Sequence, residues 1–164
     1  MPDLPEILTR SRFYLELKLE GSQDSVDGIF MECSGFQSSQ EVIEVVEVTP
    51  QLWGKQGKTK GRNIRTKIPG NATYSNLTLK RGLMSSMTLW NWLQKVQEGD
   101  WAEQRREGAL VIYNQAAKEQ CRLEFQGAWP VSYKISDLDV KSGEHNIEEV
   151  EITVESVKRV EVTA

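Results

Sequence analysis

Few residues in this sequence could carry covalent or acid–base chemistry. The single histidine, His145, sits in Ser142-Gly143-Glu144-His145-Asn146, a turn-like composition that reads as a solvated loop rather than a pocket wall. A Ser-His-Asp or Cys-His arrangement would have to be built on it, and a metal site of several histidines is excluded. Cys33 and Cys121 are too few for a disulfide scaffold and read as reduced, buried, small apolar residues. Gly57-Lys58-Thr59 looks like the end of a phosphate-binding loop. That motif requires a glycine where Leu52 stands and a following helix, which residues 61–69 cannot readily form. Glu148/Glu149 and Glu149/Glu151 could suggest acid–base pairs, but on a strand Glu149, Glu151 and Glu155 simply mark a polar face. Asn71-Ala72-Thr73 and Asn76-Leu77-Thr78 are glycosylation sequons by pattern, without meaning outside a eukaryotic secretory route. No catalytic, cofactor or metal constellation emerges, and the chain does not read as an enzyme.

Charge distribution is the more informative signal. The chain carries 20 basic and 24 acidic residues, net −4. Between Val48 and Gln97 there is no acidic residue but nine basic ones: Lys55, Lys58, Lys60, Arg62, Arg65, Lys67, Lys80, Arg81 and Lys95. That block is +9 and the remainder −13. Such segregation points to a partner: nucleic acid, or another copy whose acidic surface meets the basic block. Trp53 stands inside the block, where an indole can stack a nucleobase or anchor a protein interface. Trp90 and Trp92 belong to an amphipathic helix, and Trp129, before Pro130, reads as a core or corner residue.

These residues must be positioned by a mainly β chain. At 164 residues it is long enough for one domain with a real core, expected over 1–164 with residues 1–12 as an N-terminal arm. Phe13, Leu15, Leu17 and Leu19 alternate with polar residues, the mark of a half-buried strand. Ile29 to Cys33 is a short second strand. Glu41 to Val48 is rich in β-branched residues and apolar on both faces, which fits a sandwich interior or a subunit contact. Residues 50–70 hold four glycines, two prolines and six of the basic residues, so they form either a projecting hairpin or a functional loop. Asn76 to Lys80 returns to strand. Ser86 to Glu98 is the one convincing helix: Leu89, Trp92, Leu93 and Val96 form a stripe, Ser85 or Ser86 is the expected N-cap, and Gly99 the stop. Ala109 to Tyr113 and residues around Cys121, Leu123 and Phe125 form a hairpin over the turn Asn114 to Lys118. Ala128 to Ile135 extends the sheet, and Ile147 to Val157 is a long final strand with Val150, Ile152 and Val154 inward. No apolar stretch approaches a membrane span, and Met1 to Arg12 lacks the features of a secretory signal. Cytoplasmic assembly without a membrane anchor is therefore expected.

Taken in order, several stretches resemble the tail-tube proteins of contractile-tailed phages and phage-tail-like contractile injection systems. They are Phe30-Met31-Glu32-Cys33-Ser34-Gly35-Phe36, Lys67-Ile68-Pro69-Gly70, Tyr74, and Asn76-Leu77-Thr78-Leu79-Lys80-Arg81-Gly82. Leu89-Trp90 with Trp92, Arg105-Arg106, Leu110-Val111-Ile112-Tyr113-Asn114, Phe125, Ala128-Trp129-Pro130 and Glu148 to Glu155 follow in the family's order. The resemblance implies an antiparallel β-sandwich or barrel that assembles into hexameric rings, with strands of neighbouring subunits joined in an inner barrel. Stacked rings would make a hollow tube, sheathed by a contractile protein and bounded by baseplate and terminator proteins, with an effector or DNA as lumen cargo. It also implies a final place in a phage tail or tail-like particle, extracellular after lysis. Segment 50–70 is longer and more basic than in shorter phage members, which favours an injection-system tube over a phage tube. Trp53, Lys55, Lys58, Lys60, Arg62 and Arg65 are the expected inter-ring contacts. A nucleic-acid-binding β-domain using the same basic loop is the competing reading, with a steep salt dependence as its signature.

Overall fold

The computed structural model describes residues 13–17, 30–53, 58–138 and 145–162, with backbone alone at 49–53 and 58–62. Leu19, Ile29, Lys55, the N-terminal arm and residues 142–144 of the histidine loop lie outside the described residues. Among the described residues, nine strands and one α-helix follow in the order β1 (Phe13–Leu17), β2 (Glu32–Ser34), β3 (Ser38–Trp53), β4 (Lys58–Tyr74), β5 (Leu77–Gly82), α1 (Thr88–Lys95), β6 (Arg106–Tyr113), β7 (Glu119–Ile135), β8 (Ile147–Thr153) and β9 (Ser156–Val160). The chain divides into two compact units: Ser38–Thr73, which is the β3–β4 hairpin, and everything else.

In the larger unit all pairings are antiparallel, in the order β1-β6-β7-β8-β5-β2, with β9 also on β7. Strand β7 is long enough to serve two sheets. Its first half, through Ala128, pairs with β6 and β9, and residues 129–135 pair with β8. The turn from one sheet to the other falls at Gly127, whose φ of +64° is accessible to glycine without strain. A bulge between Pro130 and Ser132 re-aims the outer half of the strand. The expected final strand breaks opposite this corner, at Val154 and Glu155, into β8 and β9.

Alternation predicts the core well. Leu15, Leu17, Leu77, Leu79, Phe125, Val150 and Ile152 are essentially inaccessible and form one cluster with Leu89, Trp92, Leu110 and Ala128. Truncating such a leucine to alanine typically costs about 2–5 kcal/mol. Helix α1 buries Leu89, Trp92 and Leu93, and the Trp92 indole N–H donates to the Gln104 carbonyl at 2.8 Å, tying down the chain after the helix. Two details differ from expectation. The residue preceding the helix is Met87, with no side-chain cap, while the Ser86 and Thr88 hydroxyls pair with each other at 3.0 Å. Beyond Lys95 the helix widens into a turn over Val96–Asp100, where Gly99 has φ +110°.

Candidate assembly interface

The hairpin runs 16 residues out and 17 back. Its contacts step down one strand as they step up the other, so the pair is antiparallel. The Ser39 and Thr73 hydroxyls meet at 2.6 Å, the Gln40 amide donates to the Gly70 carbonyl at 2.5 Å, and Arg65 sits 3.6 Å from Glu44. Segment 50–70 is therefore strand rather than loop apart from residues 54–57, which lie outside the described residues.

Large aliphatic residues of this hairpin stand bare in a single chain. Val42, Val46 and Val48, which share a face by alternation, are 62%, 54% and 65% exposed, and Ile43, Ile64 and Ile68 are exposed as well. Glu41 to Val48 is thus not the interior of a sandwich in the single chain: among the described residues β3 pairs only with β4. What remains of that expectation is a subunit contact. Of the expected inter-ring residues, Trp53 ends β3, Lys58, Lys60 and Arg62 lie on β4, and Arg65 is exposed with Glu44 as its ion-pair partner. Lys55 and the side chains of Trp53, Lys58, Lys60 and Arg62 lie outside the described residues.

Within the larger unit, the segments 35–37 and 75–76 that flank the hairpin are held against each other. Gly35 has φ +98°, and a Cβ there would collide with the Asn76 carbonyl. The Ser75 N–H donates to the Gln37 carbonyl at 3.1 Å, and the Asn76 amide donates to Glu151 at 2.8 Å.

Arg81 counts among the nine basic residues of the charged block, but its side chain is buried and is not part of a basic surface. Arg81 continues the inward face of Leu77 and Leu79, and Glu148 that of Val150 and Ile152. The two are paired directly across β5 and β8, 3% and 2% exposed, with the Arg81 Nε donating to Glu148. The Tyr133 hydroxyl donates to the other Glu148 oxygen at 2.7 Å. Burial, followed by that hydrogen bond, pushes the Tyr133 phenol up to about 12. The alternation on both strands carried this signal.

Among the described residues, the side chains considered as candidates for chemistry are not brought together. Glu148 points inward and Glu149 outward, so they do not form a carboxylate pair. Glu149 faces Lys80 at 3.9 Å, and Glu151 takes Asn76 and Ser132. His145 is exposed. Cys121 is buried, and burial, assisted by Glu32, pushes the Cys33 thiol up to about 12. Among the described residues no three His, Cys, Asp or Glu side chains are grouped to hold a metal, and no helix is long and apolar enough to cross a membrane. On the outer face of the sheet formed by β1, β6, the first half of β7 and β9, Arg122 joins Glu16 at 2.7 Å and Glu124 at 2.9 Å, which together raise its already high pKa. Trp101, not singled out by the sequence, is 49% exposed, packs against Trp129 with the rings tilted by 60°, and lies under Arg105.

A family model described as T4-like virus tail tube protein gp19 matches residues 9–158. The chain belongs to this family. No curated protein matches it in sequence. Among solved structures, a chain from the sheath–tube complex of an extracellular contractile injection system, PVC, in its extended state superposes with a TM-score of 0.73 at 19% identity, over 95% of this chain and 93% of that one. A chain of the anti-feeding prophage tube-terminating cap gives 0.73 at 18% identity, covering 97% and 94%. Hcp1 from Flavobacterium johnsoniae is more distant, at 0.52 and 14% identity over 90% and 94%. The tail tube fold therefore spans essentially the whole chain, hairpin included. The family is one of structural tube proteins.

Proposed function

We infer that this chain is the repeating subunit of the inner tube of a contractile injection machine. Six copies form a ring, rings stack into a hollow conduit, and contraction of a surrounding sheath drives the conduit through a target envelope. The observation that carries this reading is the tail tube family match across residues 9–158 in a chain whose long hairpin leaves Val42, Val46 and Val48 bare. Exposed aliphatic strands of this length are an aggregation hazard in a monomer and an asset in an assembly that covers them.

Head-to-tail stacking is a heterologous contact, which propagates as an open filament. The basic segment gives that contact polarity: Trp53, Lys55, Lys58, Lys60, Arg62 and Arg65 meet acidic groups of the adjacent ring. Structurally similar chains come from a sheath–tube complex, a tube-terminating cap and a baseplate. Sheath, terminator and baseplate proteins are accordingly the partners of this tube, an extracellular injection particle is its setting, and an effector protein or DNA is its cargo. Replacing Lys55, Lys58, Lys60, Arg62 and Arg65 by Glu tests the polarity. Single rings should persist while stacks disappear from negative-stain images, and long tubes from that variant would refute the contact.

A further inference from the structure

The β3–β4 hairpin carries bare aliphatic residues on both of its faces. Val42, Val46 and Val48 share one face of β3, and Ile43, 42% exposed, belongs by alternation to the other. On β4, Ile64 and Ile68 are 40% and 42% exposed. Among the described residues the two strands pair only with each other, so each keeps one edge of unpaired backbone groups.

Charge is graded along the same ribbon. The carboxylates of the unit Ser38–Thr73 are Glu41, Glu44 and Glu47, all before Val48. Strand β4 carries Lys58, Lys60, Arg62, Arg65 and Lys67 and no carboxylate. Arg65 reaches back to Glu44 at 3.6 Å. Antiparallel pairing places the end of β3, at Trp53, and the start of β4, at Lys58, at the far end of the ribbon. From Val48 to Arg62 the sequence holds cations and no carboxylate.

Bare aliphatic strands, an indole and an acid-free run of cations suit an anionic lipid surface. Each Lys or Arg near such a surface strengthens binding by about fivefold. Tryptophan settles at the level of the headgroups, and aliphatic side chains bury at the boundary with the acyl chains. A polynucleotide would engage the cations and leave both aliphatic faces in water. The open edges set the depth of entry. Unpaired N–H and C=O groups are not tolerated in hydrocarbon, which confines a two-stranded ribbon to the hydrated headgroup zone.

We propose that Val46–Trp53 of β3 and Lys58–Ile68 of β4 form a lipid-binding element that lays an unassembled protomer onto an anionic bilayer surface. This goes beyond the tube reading, in which other copies of the chain cover these strands, so lipid and neighbouring copies compete for them.

Vesicle flotation of the full chain, at a concentration where it sediments as a protomer, tests the element. Wild type should bind vesicles of phosphatidylcholine mixed with phosphatidylglycerol at least about tenfold better than phosphatidylcholine alone, and salt should weaken that binding. Two variants, each checked for its fold by circular dichroism, separate the contributions. Lys58→Glu, Lys60→Glu and Arg62→Glu in one chain should lower affinity for the anionic vesicles at least about tenfold. Val46→Ser with Val48→Ser keeps every charge and should also lower it about tenfold. Independently, the anionic vesicles should shift tryptophan emission to the blue, and Trp53→Phe should remove that shift. Wild type that forms tubes but does not float with anionic vesicles would overturn the lipid element and leave the tube reading standing. A serine variant that binds these vesicles as wild type does, while duplex DNA is held with a steep salt dependence, would also overturn it and assign the cations to nucleic acid.

Discussion

Removing one partner of the Arg81–Glu148 pair should be among the most damaging single changes to this fold. Both side chains are at least 97% buried, so neither ion is solvated by water once its partner is lost. Glu148→Leu strands a guanidinium in the core, and Arg81→Met strands a carboxylate whose one remaining donor is Tyr133. Breaking a buried pair in this way costs about 3–5 kcal/mol. Replacing both partners removes the desolvation cost along with the attraction. Arg81 also leaves its Nη2 without a hydrogen-bond partner, so the native pair is not fully satisfied. The double variant should therefore lie within about 1 kcal/mol of wild type or exceed it. Urea unfolding at fixed protomer concentration, followed by tryptophan fluorescence, reads this directly, because Trp90 packs edge-on against Tyr133 at 5.4 Å. With a slope near 2 kcal/mol/M, each single variant should lower the midpoint by about 2 M. Single losses below about 1 kcal/mol, or a double variant equal to the sum of the singles, would refute the reasoning.

Three further outcomes are expected. Gly35→Ala should destabilise the protomer by about 1–3 kcal/mol in thermal melts, since its φ of +98° and the Asn76 carbonyl leave no room for a Cβ. Stability should also fall in alkali. The Cys33 and Tyr133 values near 12 exceed their ordinary 9.0 and 10.0, so the native state holds protons that the unfolded chain has released. Their contribution is complete below about pH 9 and vanishes by about pH 12, and Tyr133→Phe should flatten the upper part of that decline in pH-dependent urea unfolding. Val46→Lys combined with Val48→Lys should leave the protomer's circular dichroism unchanged while abolishing fast-sedimenting assemblies, because both positions are bare in the single chain.

Much of the larger unit is legible from period alone. Leu15 and Leu17, Leu77 and Leu79, and Val150 and Ile152 alternate as their burial does, and Leu89, Trp92 and Leu93 mark the helix face. The hairpin was ambiguous for a physical reason. Pro50, Gly61, Pro69 and Gly70 read as breakers, yet a two-stranded ribbon has an open edge on each strand where a missing N–H costs little. Its aliphatic faces were visible in sequence, but whether another layer or another subunit covers them depends on tertiary contacts. The buried Arg81–Glu148 pair was obscured by counting Arg81 as part of a charge block instead of following its strand. Ser86 is not the cap because the helix begins at Thr88, which puts Met87 at the capping position. The cross-strand row Glu32, Lys80, Glu149 and Lys134 needs the register of four strands, which no single segment encodes.

The central claim is that this protomer closes into a hollow ring and stacks. Electron microscopy of the purified full chain at low salt, with end-on class averages, tests it most directly. The account predicts six-fold rings with an open lumen and side views of stacked tubes that shorten as salt screens the basic segment. A protomer that stays monomeric at high concentration, and instead binds DNA with an affinity falling steeply in salt, would contradict it.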